Sequence, residues 1–271
     1  MTEETPIKLA VGYPWSSPFT FTAFTDSALN MRHPEGCEVR FFRGKGWCPA
    51  RRHYDICEQA IAWGADLILI IGTDQVHPED MLCRLMARYH EGCDVITAMV
   101  PARGYIGWQD MRPFQPMAWR LKHDGNGNRY VLPADGKTIG VQDMECIEVC
   151  DGDLQECDFI GSGVLMFPVD VLKGLRHPWF FETIDPTNMQ RLANMDCNFV
   201  WRLRAEAHVR VWVDTTIKVG HAHVFTVDET YQDRFKDWMT PGIGDSSVCR
   251  YVPIKPDTAG NAHGVLQSAA T

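Results

Sequence analysis

Residues 67–82 read LILIIGTDQVHPEDML. Leu67, Ile68, Leu69, Ile70 and Ile71, closed by Gly72, form a continuous apolar run of strand length, the pattern of a strand buried on both faces. A lone carboxylate, Asp74, follows it, then His77 and Pro78, and a helix is expected over residues 79–91. In an open α/β sheet, ligands sit in the crevice beyond the carboxyl ends of the strands. A carboxylate there is well placed to hold a divalent metal against phosphate oxygens. It can equally shape the turn or cap the helix that starts at Pro78.

Working outward, residues 7–13 (IKLAVGY) predict a first buried strand, with a loop around Pro14 and Pro18 at its carboxyl end. Residues 38–42 predict a second strand. Over residues 50–63, Ile56, Ala60 and Trp63 recur at helical spacing, and Gly64 ends that helix. Residues 94–100 are the next strand. The order β, β, α, β, α, β points to a mostly parallel sheet covered by helices. Residues 101–157 change character, rich in Gly, Pro, Trp and Asp, with a hairpin-turn signal in DGNGN at 124–128. Short antiparallel strands and long loops are expected there. Residues 158–167 (DFIGSGVLMF) read as one buried strand, and Pro168 as the start of a short helix. A helix over 195–207 and strands over 209–220 follow. A helix over 228–238 and a loose tail close the chain.

Hydrophobic residues make up 45% of the 271 and charged residues 23%, so a packed core is expected rather than disorder. The net charge of −9, from 26 basic and 35 acidic residues, disfavours broad binding to nucleic acid. Arg43, Lys45, Arg51 and Arg52 lie close enough in sequence to make a local basic patch. No apolar run approaches the ~20 residues that span a bilayer, and the acidic N-terminus MTEETPIK has no apolar signal core. A cytoplasmic protein is expected. Its ten cysteines include no CxxC pair, and Cys146, Cys150 and Cys157 lack the paired spacing of a zinc ribbon.

Four segments then fall in order: PARRHYDICEQAIAWGADLILIIGTDQVHPEDML (49–82), DFIGSGVLMFPVDVL (158–172), HPWFF (177–181) with MDCNFVWRLRAEAHVRVWVD (195–214), and TTIKVGHAHV (215–224). Together they resemble GT-A-fold glycosyltransferases, family 2-like, over about residues 7–225. The resemblance implies an α/β fold: a single GT-A-like domain with a mostly parallel central sheet, helices on both faces and a smaller antiparallel part. It places a nucleotide-binding half at about 1–100, an acceptor and sugar half at about 101–225, and a C-terminal helix and loose tail at 226–271.

The resemblance also implies roles. The family's DxD falls on Gly72, Thr73 and Asp74, so its first aspartate is missing and nucleotide contacts differ. Asp74 matches the direct metal ligand, and His221 the late histidine that completes the site for Mn²⁺ or Mg²⁺. His77 and His223 are weaker candidates. Such an ion neutralises the diphosphate of a UDP- or GDP-sugar donor. Arg51 matches the arginine that touches base or diphosphate. Tyr13 and Pro14, with Trp15, fall where relatives hold the nucleobase. Gly161, Ser162 and Gly163 resemble the glycine pair that lets backbone approach a sugar, and Trp179 is a candidate stacking face. Asp196 falls on half of an ED-type motif, preceded here by Met195, and is the candidate base for the acceptor hydroxyl; it or Asn194 can also cap a helix. Glu182 and Asp185 are further acidic candidates. The acceptor stays open among glycan, lipid, protein and modified nucleobase, with DNA disfavoured by charge. Two other readings remain: a nucleotidyltransferase that makes nucleotide sugars, and an inert glycosyltransferase-like interaction protein.

Overall fold

All five residues of the Leu67–Ile71 strand are buried, so it needs cover on both faces and takes a central place in the sheet. The computed structural model describes residues 5–15, 20–101, 117–122, 144–147, 153–184, 186–189, 191–222, 251–252 and 265–266. The first half runs β1 (Ile7–Pro14), α1 (Thr22–Leu29), β2 (Cys37–Gly44), α2 (Pro49–Trp63), β3 (Leu67–Ile71), β4 (Gln75–Val76), α3 (Met81–His90) and β5 (Val95–Met99). It continues with β6 (Ala118–Leu121), β7 (Met144–Cys146), β8 (Leu154–Cys157), β9 (Phe159–Ile160) and β10 (Val164–Pro168). Then come β11 (Thr183–Ile184), β12 (Arg191–Ala193), α4 (Met195–Ala205), β13 (Val211–Lys218) and β14 (Gly220–His221).

A seven-stranded sheet has the order β2-β1-β3-β10-β5-β13-β8. β1 is parallel to both β2 and β3, and β13 is parallel to β5. β10 runs antiparallel between β3 and β5, and β8 runs antiparallel to β13 at the edge. The mixed α/β architecture with a mostly parallel sheet is therefore as expected. The smaller antiparallel part is also present, as the sheet β7-β6-β9.

Strand alternation assigns the helices to the two faces. Leu9 and Val11 of β1 pack in one core with Phe24 of α1 and with Met81, Leu82, Leu85 and Met86 of α3. Gly12 turns the other way, towards α2, where a Cβ would lie 2.1 Å from Ile56. Phe167 of β10 meets Phe199 of α4 at a centroid distance of 5.3 Å on that same side. α2 starts on Cys48, whose Sγ accepts from Arg51 N at 3.4 Å. It ends at Gly64 with φ 74°, the left-handed cap expected of that glycine.

Three expectations are corrected. A helix, α1, occupies what reads as loop after Pro18. Residues 158–167 are two strands rather than one: β9 joins β6, β10 joins the main sheet, and Gly161, Ser162 and Gly163 make the turn between them. Asp74 does not cap a helix. β4 intervenes, and α3 starts later, with Asp80 at its N-cap position.

Two compact units divide the chain: Met1–Arg103 with Gln115–His223, and Gly104–Phe114 with Val224–Thr271. In the second, Tyr251–Val252 pairs antiparallel with Val265–Leu266, a short ladder within the expected loose tail. The expected hairpin at 124–128, the helix at 228–238, and Asp185 and His223 lie outside the described residues. Among the described residues, no helix is long and apolar enough to cross a membrane.

Candidate active site at the carboxyl edge of the sheet

One edge of the sheet gathers the chemistry-bearing residues. β1 ends there at Pro14 and β3 at Ile71. β10, running the other way, begins beside it, with Val164 opposite Ile71. Gly72 N donates to Gly163 O at 2.7 Å, which closes the two turns on each other. The cavity at this edge has a volume of about 320 Å³. Eight of the sequence candidates line it: Pro14, Thr73, Asp74, Gly161, Ser162, Gly163, Asp196 and His221.

Asp74 and His221 meet through a strand pair that carries no periodicity in sequence. β14 runs antiparallel to β4, with His221 opposite Gln75, and Ala222 N donates to Asp74 O at 2.7 Å. His221 Nε2 then lies 3.5 Å from Asp74 Oδ2. The other ring nitrogen, Nδ1, is 2.7 Å from Pro101 O. A carbonyl only accepts, so Nδ1 carries a proton, and in the neutral ring Nε2 turns its lone pair towards the carboxylate. A carbonyl contact of this kind orients histidine ligands of metals. Two ligands in neighbouring octahedral positions at ~2.1 Å from an ion stand ~3 Å apart, close to the 3.5 Å between these two atoms. Among the described residues no group of three or more His, Cys, Asp or Glu side chains gathers as a metal site.

Asp196 sits in the first turn of α4, but Asn194 is the cap: its Oδ1 accepts from Cys197 N at 2.8 Å. The Asp196 carboxylate is thereby left for other work. Ser162 Oγ donates to its Oδ1 at 2.6 Å. Behind Ser162 lies His53, with Nε2 at 3.1 Å from Oγ and Nδ1 at 2.9 Å from Pro49 O. His53 is 3% exposed. Burial lowers its pKa, while the charge of Asp196 and the bond to Pro49 pull the other way.

Gln75 is buried beside Asp74, and among the described residues its Oε1 has no hydrogen-bond partner. A Cβ on Gly163 would lie 1.9 Å from Gln75 Nε2, so this glycine makes room for a side chain of the protein itself. Arg52 supplies positive charge to the cavity wall; its Nε donates to Gly46 O at 3.0 Å.

Tyr13, Arg51 and Trp179 do not line this cavity. Tyr13 alternates to the opposite face and lines a separate cavity with Trp15, Phe24 and Phe41. Arg51 pairs with Glu58 at 2.8 Å and lies over the Tyr54 ring. Trp179 is buried and stacked on Tyr54 at 4.8 Å. Glu182 lines the groove that Arg51 borders. His77 is buried against Phe24 and Ser27, away from the cavity. The sequence reading named Arg52 only within a basic group, and missed His53 and Gln75. For His53 a signal existed: it precedes Ile56, Cys57 and Ala60 at helical spacing, on the buried face of α2.

No protein-family model matches the chain, and no curated protein matches it by sequence. Among solved structures it is similar to A197 from STIV, at 13% identity over 82% of this chain and 87% of that one, with a TM-score of 0.47. It is also similar to a UDP-glucose pyrophosphorylase complexed with UDP-glucose, at 10% identity over 79% and 91%, with a TM-score of 0.41. With an apo UDP-glucose pyrophosphorylase the identity is 11% over 68% of this chain, the TM-score 0.35, and the match spans 58% of that chain, less than two thirds. Likeness at this distance identifies no activity.

Proposed function

We propose that the chain is a glycosyltransferase that binds a nucleotide-diphosphate sugar with Mn²⁺ or Mg²⁺ and moves the sugar to a hydroxyl acceptor. The observation that carries this reading is Asp196, a carboxylate held in the same cavity as the Asp74–His221 pair. A hydroxyl nucleophile must lose a proton as it attacks, so it needs a base within reach. Asp74 and His221 would hold the ion, and its charge would make the diphosphate a better leaving group. Arg52 adds a fixed positive charge for the phosphates. Asp196 takes the acceptor's proton, Ser162 fixes the rotamer of that carboxylate, and the turn at Gly161 leaves the cavity open to a sugar. Tyr13, Arg51 and Trp179 have no part in this reading.

A second reading, nucleotidyl transfer to a sugar 1-phosphate, draws on Arg52, since a triphosphate brings more negative charge to the wall. A sugar phosphate is already ionised and needs no base, and a nearby carboxylate repels it. Asp196 therefore separates the two readings.

The test is a panel of UDP- and GDP-sugars with Mn²⁺, following release of the nucleoside diphosphate. Turnover is expected with one donor class. It should vanish on chelation and in Asp74→Ala, and fall about 100-fold in Asp196→Asn. Release of pyrophosphate from UTP and a sugar 1-phosphate, unaffected by Asp196→Asn, establishes the second reading instead. A folded protein inactive in both assays overturns both.

A further inference from the structure

The contacts behind Asp196 do not balance for the ordinary charge states of their groups. Pro49 O only accepts, so its 2.9 Å contact requires a proton on His53 Nδ1. Ser162 has one hydroxyl proton and two hydrogen-bonded neighbours, Asp196 Oδ1 at 2.6 Å and His53 Nε2 at 3.1 Å. If that proton points to Asp196, the contact with His53 needs a second proton on Nε2, and the ring is a cation. If it points to His53, the contact with Asp196 needs a proton on the carboxyl. Both arrangements hold the same number of protons and differ by one shift along each bond. With one proton fewer, Ser162 donates to one neighbour and faces a lone pair on the other. All three contacts are satisfied only when the unit holds one extra proton.

We propose that Asp196, Ser162 and His53 form a proton relay in which the proton removed from the acceptor is held inside the protein. This deepens the glycosyltransferase reading and rests on it. The acceptor oxygen bonds to the anomeric carbon, and the bond from that carbon to the diphosphate breaks with its electron pair leaving on the phosphate. The acceptor's proton goes to the Asp196 carboxyl. A half-turn of the carboxyl about Cβ–Cγ presents the protonated oxygen to Ser162, which takes that proton and passes its own to His53 Nε2. The carboxylate is restored without water entering the cavity. Asp196 is the catalytic residue; Ser162 and His53 act through it as positioning residues.

The surroundings suit a site that lets its proton go again. Phe180 covers the ring of His53 at 5.3 Å. The charged groups bearing on the ring are Asp196 across the turn and Arg52 on its own helix, which oppose each other. Asp74 and His221 face the same cavity. Burial disfavours the imidazolium, so the proton is held only while Asp196 is ionised opposite it.

Two measurements on the full chain test the relay. The first follows the ring nitrogens of His53 by NMR in ¹⁵N-histidine-labelled protein. The titration of His53 is expected to move down by about one pH unit in Asp196→Asn, and the Nε2 resonance to move in Ser162→Ala. A titration identical in wild type and Asp196→Asn overturns the relay. The second is the rate in mixtures of light and heavy water. Wild type is expected to show a bowed dependence, from more than one moving proton. Ser162→Ala is expected to show a straight one, with kcat about tenfold lower and KM for the donor unchanged. A straight dependence in wild type also overturns the relay. If wild type turns over no nucleotide sugar, the glycosyltransferase reading fails, and the NMR titration judges the proton link without it.

Discussion

Arg51 and Arg52 are adjacent in sequence and about 100° apart around α2. The sequence resemblance points to Arg51, yet that side chain pairs with Glu58 outside the cavity, and Arg52 forms part of the wall. Arg52→Gln is expected to raise the donor's dissociation constant about tenfold, the value of one charged hydrogen bond. Arg51→Gln should leave it unchanged; titration calorimetry with the nucleoside diphosphate and Mn²⁺ checks both. The same geometry explains the other misplaced candidates. Tyr13 alternates away from Pro14 along β1, and Trp179 packs on Tyr54. Thr73, Asp74, Gly161, Ser162 and Gly163 do line the cavity: they follow strand ends, and strand ends in such sheets face the crevice. Gln75 left no trace in the sequence because nothing local marks a buried amide. Its Oε1 is buried and has no partner among the described residues. Gln75→Leu is expected to keep or raise stability, by up to about 1 kcal/mol, since it removes that desolvation cost. The same change should weaken donor binding about tenfold if a ligand N–H or O–H supplies the missing partner. Urea unfolding and calorimetry on one sample decide it. Binding equal to wild type would mean that Oε1 does not touch the ligand.

The position of Asp196 depends on how α4 begins. Asn194 closes the first turn on Cys197 N and leaves the neighbouring carboxylate to Ser162. Asn194→Ala is expected to cost about 1 kcal/mol of stability and to lower turnover without changing metal affinity. Chemical unfolding and a metal titration check the two halves. An unchanged turnover would show that Ser162 alone holds Asp196. The long elements were legible: β3, α2, α3, α4 and β13 each carry an apolar run or a helical stripe with recognisable ends. α1 was not, because Phe21 at its N-cap makes no side-chain cap bond and its residues, TAFTDSAL, include two threonines and a serine. β4 and β14 were not, because two residues cannot display a period, although their pairing is what sets His221 on Asp74. The break between β9 and β10 was hidden inside one apolar stretch. Its meaning came from the partners, β6 on one side and β3 on the other, which local pattern does not encode.

Among the described residues, one buried histidine lies on each face of the sheet: His53 with α2 and His77 beside α1. Burial lowers the pKa of both, and His77 is lowered to about 4 despite the nearby charge of Asp74. The sign follows from linkage. A histidine whose folded pKa is depressed takes up its proton more readily when unfolded, so stability is lost as pH falls from about 6.5 towards the folded value. At pH 5, about 1.5 pH units below the unfolded value, the unfolded chain carries a proton that folded His77 resists, which amounts to about 2 kcal/mol. Net charge works the other way. The −9 at pH 7 relaxes towards zero near the sequence pI of about 5.5, and less self-repulsion favours the folded state. Asp214 does not enter this window. Burial pushes its pKa up, but the bonds from Thr216 and Arg88 win and lower it, so its contribution is lost only below the ordinary carboxylate range. The slope of stability between pH 7 and pH 5 therefore separates surface charge from the buried rings. Urea unfolding of wild type is expected to weaken over that interval. In His77→Leu the fall should shrink by about 2 kcal/mol, because the leucine has no proton to take and leaves no unpartnered ring nitrogen behind. If wild type and His77→Leu lose stability in parallel, His77 titrates normally in the folded chain and the acid sensitivity belongs to other groups.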